Sequence, residues 1–588
     1  MFANNLPFPG APLIFLKGVI IGIREGICVM KIRYSVCAAL LALSVYAQTP
    51  AGGAAFRELY LRREAEAAAL YQRKEYAGAA AIHEELRRRP ELAKHEEDYA
   101  HVLYNLACEY SLAGDKDRAL AALREAVASG LVSSSSIRQD SDFEPIRNHS
   151  GYKELLTALD AKERPARMLW NSPALRTPFR EDLPEDEKVA GLSRLWSEAK
   201  FNFVYFDRLD GIDWDGLYLL YLPKVRRTKS TLEYYQLLAE FSAKLKDGHS
   251  GVSYPRQLGE KLGWPLLNTA FVQGRVFIQA VRDPELAAQG VKPGVEITAI
   301  DGVPVKQFGA ERVAPFRGAS TPQDLEIKVF EYSLLGGPLD TPVVLTLRDA
   351  AGLEVTRSLP RKSGAESDKY PHEPYKAFEF KVLPGNIAYV ALRSFGDETC
   401  SKQFDANFEA IRKTDAIIFD VRENGGGSSN VGWDILGYLT DRPFQSTQWS
   451  TREYRPVWRA WNRPERQYSD PGYAIQPHGS DPYRKPVIVL TSPRTYSAAE
   501  DFAVVFDAMK RGRTVGEATG GSTGQPLSIP LPGGGSFRLC TKHDRYPDGR
   551  EFVGVGLLPT VPVSPTVEDL RAGRDTVLDA AVRLLTTR

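Results

Sequence analysis

The run Val487-Ile-Val-Leu-Thr-Ser-Pro-Arg-Thr-Tyr-Ser497-Ala-Ala-Glu-Asp-Phe-Ala-Val-Val-Phe506 constrains the fold of this chain more than any other stretch. It opens with a β-branched apolar segment, passes through a short polar turn, and continues with apolar residues at helical spacing. The pattern predicts strand, turn and helix in immediate succession. Such a junction holds one side chain at a helix N-terminus, where unpaired N–H groups and the dipole favour developing negative charge. Ser497 stands there. It reads either as an ordinary N-cap or as a nucleophile, and the second reading requires a base and an oxyanion site elsewhere in the chain.

A length of 588 residues is too great for one core and predicts three or four domains. Hydrophobic residues at 43% and charged residues at 25% are ordinary for a globular protein. A net charge of +1 gives no electrostatic basis for holding nucleic acid or an anionic membrane. Cys28, Cys37, Cys108, Cys400 and Cys540 lack metal-ligand or CxxC spacing, so no metal, cofactor or disulfide framework is expected. From Met30 a basic start, a short apolar run and small residues at Val45 and Ala47 predict a signal peptide over 30–47, cut after Ala47. Residues 1–29 then read as an upstream extension, and the expected location is periplasmic or secreted, with no integral membrane segment after cleavage. Cys108, Cys400 and Cys540 would remain, an odd number, so at least one thiol should stay free or pair between chains.

The texture of the chain changes along its length. Residues 54–160 are rich in Ala, Leu, Glu and Arg, and Leu106, Ala107, Tyr110, Gly114, Ala119, Leu123 and Ala126 resemble the offsets of a tetratricopeptide (TPR) helix pair. A looser copy with Leu70, Tyr76, Ala79 and Leu86 precedes it. This TPR-like region reads equally as a docking surface for a protein partner and as a cap packed on the next domain. Residues 161–190 are Pro- and charge-rich and read as a linker. Helical spacing returns at Leu192–Phe201 and Thr231–Leu245, within the segment 191–262. The second helix stops at Asp247-Gly248-His249-Ser250, a turn that leaves His249 just beyond the helix end. Residues 265–360 carry short β-type runs around Gly290-Val-Lys-Pro-Gly294-Val-Glu-Ile-Thr-Ala-Ile300-Asp-Gly, which resemble a PDZ domain. Such a module implies tethering or gating of a peptide; the alternative is a β-rich insert without a ligand. After a polar linker at 361–377, residues 378–588 contain the buried strand Asp415–Asp420 running into Gly425-Gly426-Gly427. Consecutive glycines let backbone N–H groups approach an oxyanion closely. Asp420 and Arg422 read as a structural pair, and Glu500 and Asp501 as first-turn acids that stabilise the helix dipole.

Taken together, Asp247-Gly-His249-Ser, the PDZ-like insert, Asp420-x-Arg-x-Asn-Gly-Gly-Gly427, Tyr496-Ser497-Ala-Ala-Glu500 and Gly516–Gly521 resemble serine peptidase family S41, the C-terminal processing or tail-specific peptidases. The resemblance covers about 190–588 and implies a multidomain α+β protein. Its core would be a crotonase- and ClpP-like α/β spiral of the peptidase type. One branch of that family uses a lysine about one strand beyond the serine. Here Ser522 occupies that setting, no lysine lies between Lys510 and Lys542, and Lys510 reads as solvated. The resemblance therefore points to the branch of tricorn and the interphotoreceptor retinoid-binding protein. It implies Ser497 as nucleophile, His249 as base and Glu551 as the orienting acid, although the family acid also aligns at Val553. Backbone N–H groups of Gly426 and Ala498 would form the oxyanion hole. The tricorn-like pattern has a serine immediately before the histidine, where this chain has Gly248. A peptide or protein substrate, cut in unstructured segments or C-terminal tails through an acyl-enzyme, is the expected activity; a catalytically silent binding scaffold on the same fold is the alternative.

Overall fold

Six short apolar runs in the C-terminal third assemble into one sheet. They are β1 (Phe378–Leu383), β2 (Ile387–Leu392), β3 (Ala416–Asp420), β4 (Val487–Thr491), β5 (Arg513–Gly516) and β6 (Val561–Pro562), paired in that order. The β1–β2 hairpin is antiparallel and every later pairing is parallel. Every residue of β2, β3 and β4 is buried, because helices cover both faces of the sheet. Period-two alternation divides their side chains. Val390, Phe419 and Val489 face Phe404, Val431 and Phe502, whereas Tyr389, Ile418 and Leu490 face Val577 and Ala581. The first set of partners comes from Thr399–Ile411, α1 (Ser429–Leu436) and α2 (Ala498–Ala508), and the second from α3 (Thr576–Thr586). Arg422 bridges Asp420 at the end of β3 to Asp575, the N-cap of α3, so the expected structural pair is a three-membered tie.

The structure, a computed structural model, describes residues 51–588 except Asn171, residues 371–373 and Arg588. The stretch read as a signal peptide lies outside the described residues. Residues 173–588 pack as one unit and the helical residues up to 172 as another. In the helical unit, Ala51–Gln72 packs on Tyr76–Arg87 and Glu96–Leu112 on Lys116–Ala128. Small buried residues at the contacts, among them Ala79, Ala80, Ala107, Ala119 and Ala122, allow close approach. The last helix of that unit runs from Ser150 to Trp170 with Pro165 inside it, so the first part of the expected linker is helical. Helix-forming Ala, Lys, Glu and Arg around Pro165 outweigh the single lost hydrogen bond. Among the described residues, no helix is long and apolar enough to cross a membrane.

Within the larger unit, Thr231–Ala243 ends as expected, with Lys246 in the left-handed region at φ 48°. The strand Gly251–Ser253 pairs antiparallel with Ser536–Cys540, which in turn pairs with Pro526–Pro530. That small sheet carries the segment after His249 to the segment after Ser522. Residues 267–359 form an antiparallel sheet of their own around Val276, Ile278, Ile297, Leu345 and Leu347. Pro322–Ile327, a short helix of the same region, packs toward the core sheet through the contacts described below.

Phe502 is fully buried between Phe395 and Phe419, with ring centroids 5.9 and 5.8 Å away. Phe502→Ala is therefore expected to lower unfolding stability by about 3–5 kcal/mol. Chemical denaturation followed by circular dichroism would measure it.

Candidate active site

The carboxyl ends of β3 and β4 lie side by side, so the loops that follow them meet. They are stitched together by side-chain and backbone bonds. Thr495 Oγ1 donates to Val421 O at 2.9 Å, Ser492 Oγ to Arg422 O at 2.6 Å, and Tyr496 N–H to Asn424 O at 3.0 Å. Closeness here requires glycine. A Cβ on Gly427 would stand 2.1 Å from Phe395 O, and one on Gly426 would stand 2.6 Å from Ser497 Cβ and 2.9 Å from Ala498 N.

Ser497 closes this turn with φ 54° and ψ −128°, a conformation that an L-residue adopts only under strain. Its hydroxyl makes no N-cap bond to α2. Instead it lies 3.0 Å from His249 Nε2. The imidazole and the hydroxyl, 248 positions apart, thus share a hydrogen bond.

The other ring nitrogen of His249 faces a residue that the sequence reading used only to set aside a lysine. Nδ1 lies 2.8 Å from Ser522 Oγ. The Tyr496 ring stacks on the imidazole, with centroids 5.1 Å apart and planes within 10°. Gly248 now has a physical reason: a Cβ there would fall 1.8 Å from Tyr496 Oη and 2.8 Å from Ser522 Oγ. The serine of the tricorn-like pattern could not stand before this histidine without displacing both hydroxyls. Ser250 Oγ donates to Asp247 and accepts from Cys540 N–H, fixing the turn to the neighbouring strand.

Glu551 is not the partner of His249, contrary to the sequence expectation. Its carboxylate accepts from Arg545 Nε at 2.6 Å and Arg208 at 3.1 Å, and lies 2.7 Å from His543 Nε2. Two guanidiniums and an imidazole hold it in a separate cluster at the Arg545–Glu551 bridge. The Gly426 N–H, expected to face an oxyanion, donates to Asn424 Oδ1 at 2.8 Å, because the Asn side chain folds back over its own loop. Ala498 N opens α2 beside Gly426. Lys510 is exposed, while Lys542 is half-buried and paired with Asp544 at 2.8 Å.

Glu500 and Asp501 do more than stabilise a dipole. Glu500 is fully buried and accepts from the N–H groups of Gly521 and Ser522, at 2.8 and 2.7 Å, and from the Thr519 hydroxyl. It thereby fixes the backbone that presents Ser522 to His249. Asp501 accepts from Ser429 at the start of α1. Burial pushes the Glu500 carboxyl up to about 8, and burial together with Asp544 pushes Asp501 up. Burial, with Arg538, Lys328 and Lys542 in support, pushes His249 down to about 3, so the imidazole is neutral at physiological pH. The sequence signal for these supporting acids was their place in the first turn of an almost wholly apolar helix, where burial is unavoidable.

A buried histidine bonded to a half-buried serine at the junction of a parallel strand and a helix, beside a glycine loop, has the parts of a serine-nucleophile site. Residues 386–563 match the model of peptidase family S41, and residues 184–243 match the tricorn protease C1 domain. The segment 386–563 is thus similar to the serine peptidase family S41. It is 25% identical over 310 residues to a carboxy-terminal-processing protease of Bartonella bacilliformis, covering 51% of this chain and 61% of that one. It is 24% identical over 403 residues to tricorn protease homolog 1 of Streptomyces coelicolor, covering 64% of this chain and 33% of that one. The chain thus spans less than two thirds of the length of either relative. Among solved structures, mature CPAF complexed with lactacystin shares the fold with a TM-score of 0.54 at 16% identity, over 69% of this chain and 99% of that one.

A carboxyl whose folded value is raised above its unfolded value binds protons preferentially in the native state. Its contribution to stability is full at pH below about 4.5 and is lost as pH rises toward about 8. Glu500→Gln is therefore expected to remove part of the decline in stability between pH 5 and pH 8. Denaturant melts of parent and variant at both pH values would read the change in slope.

Proposed function

We propose that the chain is a serine endopeptidase in which Ser497 attacks a peptide carbonyl and His249 serves as general base. The observation that carries this reading is the 3.0 Å approach of His249 Nε2 to Ser497 Oγ across two separate loops. As the Oγ–C bond forms, the hydroxyl proton passes to Nε2; it is then returned to the leaving amine, and water hydrolyses the acyl-enzyme by the same route in reverse. The Ala498 N–H is the natural oxyanion donor, and rotation of Asn424 away from Gly426 would free a second. Each such donor is worth about 3–4 kcal/mol to the transition state. Substrates are proposed to be unstructured segments or C-terminal tails of proteins, a reading supported by the carboxy-terminal-processing relative. The sheet at 267–359 is proposed to act as a PDZ-like module that tethers or gates them, the core to be of the crotonase and ClpP type, and the helices of 54–160 to be a TPR-like docking region. A periplasmic or secreted location rests on the leader motif at 30–47.

A second reading, a silent binding scaffold on the same fold, draws on one observation: the Gly426 N–H is engaged by Asn424. The two readings part on a single experiment. A fluorophosphonate probe is expected to modify Ser497 in the parent and to lose that reactivity at least 100-fold in His249→Ala, while Ser497→Ala abolishes peptide turnover with its melting profile intact. A fully active Ser497→Ala protein would exclude the mechanism; labelling without turnover on any unfolded substrate would favour the scaffold.

A further inference from the structure

Among the described residues, no carboxylate is hydrogen-bonded to His249 Nδ1, yet a base that becomes an imidazolium gains from one. Arg538, Lys328 and Lys542 all oppose its protonation. The groups leading away from Nδ1 nevertheless reach an acid. Nδ1 meets Ser522 Oγ at 2.8 Å, Ser522 adjoins Tyr496, whose ring stacks on the imidazole, and Tyr496 Oη donates to Asp324 Oδ2 at 3.2 Å. With Nε2 accepting from Ser497, Nδ1 carries the ring proton and donates to Ser522. Asp324 is 3% exposed and also accepts from Ser320 N–H at 3.0 Å and Lys328 Nζ at 3.0 Å. Lys328 Nζ donates besides to Tyr496 Oη at 3.2 Å and to Gly318 O at 2.8 Å. Asp247, the other acid nearby, has its oxygens taken by the Ser250 and Ser320 hydroxyls.

We infer that Asp324, a residue of the β-rich insert, is the positioning acid of His249, acting through Tyr496 and Ser522. The proposal rests on the Ser497–His249 reading above. When Nε2 takes the Ser497 proton, Nδ1–H stays bonded to Ser522, and the carboxylate at the far end polarises the intervening hydroxyls toward itself. No proton has to travel along the series. The charge is distributed over hydrogen bonds in a water-poor interior, where each is strengthened by the next. Burial raises the Asp324 carboxyl, and Lys328 and Tyr496 draw it back toward the ionised form that the series requires.

The segment bearing Asp324 is built into the site. Thr321 caps its short helix and donates to Gly520 O at 2.8 Å, and Gln323 Nε2 donates to Thr519 O at 3.0 Å and to Val555 O at 2.9 Å. The Gly520 and Thr519 carbonyls belong to the loop that Glu500 braces from the other side. The insert and the serine loop are therefore tied together at this point. A peptide bound on the insert could alter the base only by shifting this contact.

The test measures fluorophosphonate labelling of Ser497 from pH 5 to pH 9 in the full chain, as rate and probe affinity separately. Asp324→Asn and Tyr496→Phe are each expected to slow labelling at least tenfold with probe affinity within twofold. The double variant should be no slower than the slower single one. Circular dichroism melts check that both variants fold, and Tyr496→Phe serves should Asp324→Asn not. Labelling by Asp324→Asn within twofold of the parent, or losses that multiply in the double variant, would overturn the proposal while leaving Ser497 as nucleophile. A parent that is never labelled at Ser497 would overturn the peptidase reading and the relay together.

Discussion

The site depends on how closely two loops approach at the carboxyl ends of β3 and β4. Backbone meets backbone there, at Gly426 against Tyr496 O and Ala498 N, while Gly427 meets Phe395 in the loop after β2, and no side chain larger than hydrogen fits at either glycine. The fully buried parallel strands β2, β3 and β4 make such an approach sustainable, because they cannot slide without exposing apolar surface on both faces. The polar bonds from Ser492, Thr495 and Tyr496 into residues 421–424 then only have to select the orientation of a turn already in place.

His249 reaches this point from far away in the chain, and the pairing that delivers it is modest. Three residues, Gly251–Ser253, align with Ser536–Arg538. Ser250 adds a bond at each end of its hydroxyl. The imidazole is clamped by stacking on Tyr496 and by Ser522, both of which come from the segment that also carries Ser497 or follows it. Base and nucleophile are thus aligned by one neighbourhood of the chain, which limits the error that a long loop closure could introduce.

The parts legible in the sequence were those with local causes. The strand–turn–helix at 487–506 follows from periodicity, the helix end before His249 from its turn residues, and the glycine loop from three consecutive glycines. The family pattern then joined Ser497 to His249. Glu551 was misplaced because a carboxylate takes its partner from whatever cations surround it, and Arg208 and Arg545 come from segments whose proximity no spacing rule reveals. Ser522 and Asp324 were missed for a related reason: serine is common, and its role is defined by what touches it in space. Gly248 looked like a departure from a pattern; it is an accommodation to the Tyr496 hydroxyl.

Ser497 is held at φ 54°, where glycine would rest more easily. Thermal robustness and chemical competence therefore pull this position in opposite directions. In a lineage released from the need to react, the expected drift is toward glycine at 497, leaving a sturdier molecule with an unchanged outline and no hydroxyl to offer.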